Sequence, residues 1–261
     1  MEIVICRDAV EAGKLGAATI AELVRNKPDA VLGLATGSSP LAIYDELARL
    51  YEAGEVSFAK AKGFSLDEYV GLAADHPETY HNVIRRNFVH RVDFEDGNVR
   101  GPDGLAEDIP AFCAEYEAAM AAAGGVDLQI LGIGTDGHIG FNEPGSSLAS
   151  RTRIKTLAPK TREDNARFFD SPGEVPMHCI TQGIGTILDA RRLLLVTQGE
   201  GKADAVAAMI EGPVTSMCPA SALQLHPDAI AVIDRAAAAG LALTDYYEYV
   251  ERNRPPGAVR A

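Results

Sequence analysis

The chain has no tryptophan, and only 6% of its residues are aromatic. A core built under that restriction must be filled by Ala, Val, Leu and Ile, which suits buried parallel strands and close-packed helices. Cysteine is scarce as well. Cys6, Cys113, Cys179 and Cys218 include no C-x-x-C pair and no zinc-site spacing. They read as reduced thiols, and Cys6, inside an apolar run, as a buried one. No apolar run is long enough to span a bilayer. No basic segment followed by an apolar stretch opens the chain, so no signal peptide is expected and a soluble, cytoplasmic protein is. Positive charge is in deficit too: 24 Lys and Arg against 37 Asp and Glu give a formal net charge of -13. Such a chain repels phosphate backbones at long range, which argues against a nucleic-acid partner. An anionic small molecule stays admissible, because a few Arg and Lys groups can set the sign inside a pocket.

With 261 residues and 47% apolar content, the chain can bury a sizeable core, and residues 1–261 are read as a single α/β domain. Short apolar runs at 2–6, 30–35, 61–66, 127–133, 192–197 and 229–234 predict strands. Helical spacing predicts helices over 8–26, 41–53, 77–89, 109–123 and 202–211, with a short one over 161–169. The stretch 181–188 fits either state. This alternation implies βαβ units on a parallel sheet with helices on both faces. The polar stretch Arg151–Val175 interrupts it and reads as an insertion over one end of the sheet. The tail Arg252–Ala261, with two prolines, reads as loosely held.

One regularity needs no motif. Thr36, Asp67, Asp136 and Gly199 each lie just past an apolar run, and open parallel sheets bind ligands outside the carboxyl ends of their strands. Thr36-Gly37-Ser38-Ser39-Pro40 joins a strand to a helix. Glycine there permits a tight turn, a serine is expected to cap the helix, and the free N–H groups would face an anion. An ordinary βα turn has the same look, and no Gly-Lys-Ser/Thr follows to make a Walker loop. Lys202, beyond another strand end, and Arg167 are candidate phosphate ligands. Gly132 to Pro144 is the densest feature: a glycine-rich turn after a buried strand, with Asp136, His138 and Glu143 inside it. A histidine flanked by carboxylates can serve as a general base. As metal ligands the same trio is incomplete, with one His and no second at helical spacing, so no metal is expected. Asp67 stands where a carboxylate could abstract a proton beside a carbonyl or imine. On these grounds alone Glu68 would serve equally well. Arg151, Arg153 and Lys155 form a basic group unusual in so acidic a chain, either a second anion site or a solvated face. His76, His81, His90, His178 and His226 read as structural.

These segments together resemble the glucosamine-6-phosphate deaminase family. The matching strings are Thr-Gly-Ser-Ser-Pro at 36–40, Leu-Asp-Glu-Tyr-Val-Gly-Leu at 66–72 and Gly-Thr-Asp-Gly-His-Ile-Gly-Phe-Asn-Glu-Pro at 134–144. Ser-Ser-Leu-Ala-Ser-Arg-Thr-Arg-Ile-Lys-Thr at 146–156 and Leu-Gln-Leu-His-Pro at 223–227 match as well. The resemblance implies a three-layer α/β/α sandwich on a mostly parallel, Rossmann-like sheet. It implies conversion of glucosamine 6-phosphate and water to fructose 6-phosphate and ammonia in amino-sugar catabolism. Asp67 would move the proton between C2 and C1, and His138, with Asp136 and Glu143, would open the sugar ring. The phosphate would sit on Thr36, Gly37, Ser38 and Ser39 under Arg167 and Lys202, beneath a mobile lid at 157–180. No metal or organic cofactor is implied. Ser146, Arg153, Lys155 and Thr156, with Tyr246, match a site at which some family members bind N-acetylglucosamine 6-phosphate as an activator at a subunit boundary, which would make the protein a homo-oligomer.

Two other readings share parts of this pattern. A 6-phosphogluconolactonase has the same fold and an Asp-Gly-His loop. That loop usually continues Thr-Ala-Ser-Leu-Phe-Pro rather than Ile-Gly-Phe-Asn-Glu-Pro, and so lacks the carboxylate of Glu143. A sugar-phosphate sensor of a DNA-binding regulator would carry a helix-turn-helix ahead of this region, where this chain opens on a strand.

Overall fold

Apolar runs without polar alternation satisfy their backbone groups and bury both faces only inside a helix-covered sheet. The computed structural model, which describes residues 1–255, follows that logic. In chain order its strands are β1 (Glu2–Cys6), β2 (Val31–Leu34), β3 (Lys62–Ser65), β4 (Asp67–Tyr69), β5 (Val99–Arg100), β6 (Leu128–Leu131), β7 (Arg153–Thr156), β8 (His178–Thr181), β9 (Leu193–Thr197) and β10 (Ala229–Asp234). The helices are α1 (Ala9–Asn26), α2 (Leu41–Glu52), α3 (Tyr80–Asn87), α4 (Ile109–Ala122), α5 (Pro159–Asn165), α6 (Ile184–Leu188), α7 (Ala203–Ile210) and α8 (Thr244–Arg252).

Seven strands form one sheet in the order β1-β10-β9-β6-β2-β3-β5, every neighbouring pair parallel. Every residue of the inner strands β10, β9, β6 and β2 is buried. The result is the α/β sandwich that the alternation implies. No helix among the described residues is long and apolar enough to cross a membrane. All four cysteines are buried.

The predicted strand at 61–66 ends sooner than expected, at Ser65, and the chain changes sheets at Leu66. Leu66 N donates to Leu34 O in the main sheet, and Leu66 O accepts from Gln182 N, the residue just past β8 of the second sheet. Asp67 therefore begins a new strand rather than a loop. That strand, β4, pairs antiparallel with β8, and β8 with β7. The stretch read as a featureless insertion at 151–175 thus supplies β7, whose residues alternate between half-buried and exposed, and then α5. The ambiguous run 181–188 divides: β8 ends at Thr181 and α6 starts at Ile184. Helix α8 has no counterpart in the expected pattern and ends at Arg252, where the tail begins. Residues 256–261 of that tail lie outside the described residues.

Helix α1 starts at the Asp8 cap, whose carboxylate accepts from Glu11 N. It crosses α2 so closely that a Cβ on Gly13 would lie 2.6 Å from Ala42 Cβ and 2.8 Å from Ala42 C. Gly13→Val is therefore expected to force the helices apart and to lower stability by about 2 kcal/mol. Denaturant unfolding monitored by circular dichroism checks this, and an unchanged midpoint would contradict the contact.

Candidate active site

Strands β9, β6, β2 and β3 are consecutive neighbours, so the segments leaving their carboxyl ends meet. They and α5 enclose an open cavity of about 160 Å³. Its wall includes Thr36, Gly37, Ser38 and Ser39 after β2, Asp67 after β3, Gly132 to Thr135 and His138 after β6, and Lys202 after β9. Tyr80 of α3, and Thr161, Asp164, Asn165 and Arg167 of α5 and the turn after it, complete the wall. Of the four strand-end residues expected to converge, Thr36 and Asp67 line the cavity; Asp136 and Gly199 do not, and their loops contribute His138 and Lys202 in their place.

The turn after β2 departs from expectation in one detail. No serine caps α2: its N-cap is Pro40, without a side-chain cap hydrogen bond. Among the described residues the N–H groups of Gly37, Ser38 and Ser39 make no hydrogen bond. They and the positive end of the α2 dipole remain available to an anion. Lys202 is partly buried and Arg167 exposed, its guanidinium 4.7 Å over the Phe168 ring. Burial lowers the Lys202 ammonium, while the Asp164 carboxylate works the other way. Both cations face the cavity that the turn lines.

Asp67 and Glu68 differ in what each carboxylate touches. Glu68 Oε1 accepts from Tyr69 N and Tyr80 N, and Oε2 from His81 N, so it caps the first turn of α3. Asp67 lies in the cavity wall, 6% exposed, and no hydrogen bond reaches its carboxylate among the described residues. Burial, and secondarily the charge of Glu68, raises the Asp67 carboxyl well above its ordinary range.

His138 is oriented from behind. Its Nδ1 lies 2.7 Å from Asp136 Oδ1 and 3.7 Å from Glu143 Oε2. Asp136 Oδ1 also accepts from His138 N at 3.2 Å. Burial raises the Asp136 carboxyl, but the hydrogen bonds and charge of His138 outweigh that and hold it well below the usual carboxylate range. An ionised carboxylate only accepts, so Nδ1 carries the proton and Nε2 is left to exchange one with a ligand. A Cβ on Gly134 would lie 2.1 Å from the imidazole Cε1, so only glycine lets the ring rest against that backbone. Glu143 Oε1 accepts from Thr161 Oγ1 at 2.6 Å and Ala158 N at 3.2 Å.

The ligand atoms of Asp136, His138 and Glu143 lie within 4.8 Å of one another, close enough to share a cation. The Nδ1–Oδ1 separation of 2.7 Å is that of a hydrogen bond, and a metal on Nδ1 would have to displace its proton.

The remaining sequence candidates are dispersed. Ser146 is buried near Glu143 in sequence, while Arg153, Lys155 and Thr156 lie on β7. Tyr246 is 59% exposed on α8, which packs against β1. Arg151 of the basic group is committed to Glu117 and Asp189. Of the histidines read as structural, His226 is buried, bridging Ala190 O and Asp228 N. Tyr80, Thr161, Asp164 and Asn165 escaped the sequence reading. Tyr80 had only a helical pattern to mark it, and the others only the short, weakly patterned helix expected over 161–169.

The family of glucosamine-6-phosphate isomerases/6-phosphogluconolactonase matches residues 9–232, and the chain belongs to it. A glucosamine-6-phosphate deaminase of Mycolicibacterium smegmatis is 62% identical over 256 residues, 98% of each chain. One of Streptomyces coelicolor is 58% identical over 256 residues, again 98% of each. Among solved structures, a monomeric glucosamine-6-phosphate deaminase is 43% identical and superposes with a TM-score of 0.90, over 92% of this chain and all of that one (100%). A 6-phosphogluconolactonase from Trypanosoma cruzi shares the fold alone, at 21% identity and a TM-score of 0.70 over 92% of this chain and 97% of that one.

Because the folded protein holds the Asp67 proton more tightly than the unfolded chain does, the stability this group contributes is intact below about pH 3.9 and is lost as pH rises through the folded value. Asp67→Asn should therefore leave stability unchanged at acidic pH. At pH 8 it should raise Tm by about 2 °C or more. Thermal unfolding across pH tests this, and a variant no more stable than wild type at pH 8 would contradict the burial.

Proposed function

We propose that the protein is a glucosamine-6-phosphate deaminase, converting glucosamine 6-phosphate and water to fructose 6-phosphate and ammonia. The observation that carries this reading is the pairing of two different proton-transfer groups on one anion-binding cavity. One is a buried, unbonded carboxylate (Asp67), and the other is an imidazole held by two carboxylates (His138). Relatives of that name at 62% and 58% identity over nearly the whole chain support it.

Phosphate on the Thr36–Ser39 turn, with Arg167 and Lys202, anchors the far end of the sugar and makes the later steps effectively unimolecular. His138 Nε2 takes the anomeric hydroxyl proton and delivers a proton to the ring oxygen as the C1–O5 bond breaks. Asp136 and Glu143 stabilise the imidazolium formed between those events. The open chain presents an aldehyde at C1 and the amine at C2. Asp67 removes the C2 proton, the electron pair forms the C1–C2 double bond, and the aldehyde oxygen gains a proton to give an enolamine. Return of the proton to C1 leaves a protonated ketimine at C2. Water adds to C2, and the C–N bond breaks to release ammonia and the ketose. Each step is acid–base chemistry that the named side chains can perform.

In this reading residues 1–261 work as one domain and 157–180 form its lid. Leu157 and Val175 of that segment pack with Tyr69 and Phe141, and Asn165 Nδ2 donates to Tyr69 Oη at 2.9 Å. The protein works in the cytoplasm, where its sugar-phosphate substrate would be found. Ser146, Arg153, Lys155, Thr156 and Tyr246 bind N-acetylglucosamine 6-phosphate as an activator. Helix α8 lies on β1, five strands from β3 along the main sheet, about 24 Å at 4.8 Å per strand. In this reading Tyr246 joins the β7 residues from a second copy, which ties activation to a homo-oligomer.

The direct test follows fructose 6-phosphate and ammonia together, with a chelator present. Both should appear in equal amounts. Asp67→Asn should lower kcat by about 10³-fold or more and His138→Gln by about 10²-fold or more. The acidic limb of kcat/KM should lie above the ordinary carboxylate range, since Asp67 must be ionised to act and its proton is held tightly. Hydrolysis of 6-phosphogluconolactone without deamination would favour the lactonase instead. For the activator, a rate curve unmoved by N-acetylglucosamine 6-phosphate would remove that part of the proposal.

A further inference from the structure

Glu143 divides its two carboxylate oxygens between two tasks. Oε1 accepts from Thr161 Oγ1 at 2.6 Å and from Ala158 N at 3.2 Å. Ala158 is the N-cap of α5 and has no capping side chain of its own. Glu143 therefore supplies the negative end that this helix N-terminus lacks. Oε2 is fully buried, has no hydrogen-bond partner, and stands 3.7 Å from His138 Nδ1. A buried carboxylate oxygen without a partner is costly unless positive charge develops beside it. Imidazolium formation at His138 supplies that charge during ring opening. With Oε1 fixed by two donors, Oε2 stays aimed at the ring without having to reorient as the charge appears.

The segment that provides those donors also carries Arg167, two residues beyond α5 and in the cavity wall. Thr161 itself is 5% exposed, so its hydroxyl has little water to turn to.

We infer that Thr161 is a positioning residue for the ring-opening step: its hydroxyl sets Glu143 against His138 and joins the phosphate-facing segment to the imidazole. The inference rests on the deaminase reading. It assigns Thr161 no contact with the reacting atoms, so its effect must pass through Glu143.

Thr161→Val keeps the shape and removes the donor, and Thr161→Ser keeps the donor and removes a methyl group. Each is compared with wild type in deamination of glucosamine 6-phosphate. Each is also tested by calorimetry for binding of the reduced, acyclic alditol of that substrate, which needs no ring opening. The expected result is a kcat about tenfold or more lower in Thr161→Val. Alditol affinity should stay within about twofold, and Thr161→Ser should be close to wild type. In a Glu143→Gln background, Thr161→Val should cost less than about twofold more, because the two residues act as one unit. Wild-type kcat in Thr161→Val, additive losses in the double variant, or alditol binding lost in parallel with kcat would each overturn the inference. The last would mark a purely structural helix contact. A wild-type protein that binds the alditol but does not deaminate would sink the functional reading itself, and this inference with it.

Discussion

Keeping the Asp67 carboxylate out of water without a hydrogen bond costs free energy, and the surrounding fold has to supply it. It does so by placing Asp67 where two sheets meet. Leu66 is hydrogen-bonded to the main parallel sheet on one side and to the antiparallel second sheet on the other. Asp67 follows as the first residue of β4, its backbone paired with Thr181 of β8. A loop at this point would leave the carboxylate free to swing into solvent, whereas a strand at a seam fixes it in the cavity wall. The neighbouring Glu68 turns away to cap α3. Two adjacent acids are thereby given separate surroundings, one on the first turn of a helix and one in the cavity wall.

The same division runs through the other half of the site. Burial raises Asp67, whereas the His138 interaction lowers Asp136 despite burial. In the proposed mechanism, these opposite directions divide the labour between a group that exchanges protons and one that stays ionised. Glu143 adds a second negative group against the imidazole while capping α5. In the proposed mechanism, ring opening and the phosphate-facing segment are connected through this one side chain. Several of the few aromatic rings gather in two places: Tyr44, Phe58, Phe88 and Phe94 pack on one another within the main core, and Tyr69, Tyr80, Phe141 and Phe169 cluster beside the second sheet.

Much of this was legible in the residues. The strand at 229–234 falls where its uninterrupted apolar run places it, and the chemistry gathers at the strand ends as the parallel topology requires. Asp136, His138 and Glu143 could be grouped because eight residues and a glycine-rich turn hold them together. The second sheet was not legible, because β4 has only three residues and β7 is polar and half-exposed. Ser38 and Ser39 look like helix caps in sequence, yet Pro40 takes that position without a side-chain cap hydrogen bond. Thr161 carries no local signal at all. Its importance comes from a contact across 18 positions of chain that only folding creates.

The central claim is that one sheltered carboxylate both removes the C2 proton and returns it at C1. The measurement that reaches it most directly is the fate of deuterium placed at C2 of glucosamine 6-phosphate, followed by mass spectrometry in early turnovers. The account predicts that a measurable fraction of the label appears at C1 of fructose 6-phosphate, because a base as buried as Asp67 exchanges with water slowly enough to hand it back. Product with no label at C1 from the first turnover onward would contradict a single sheltered base.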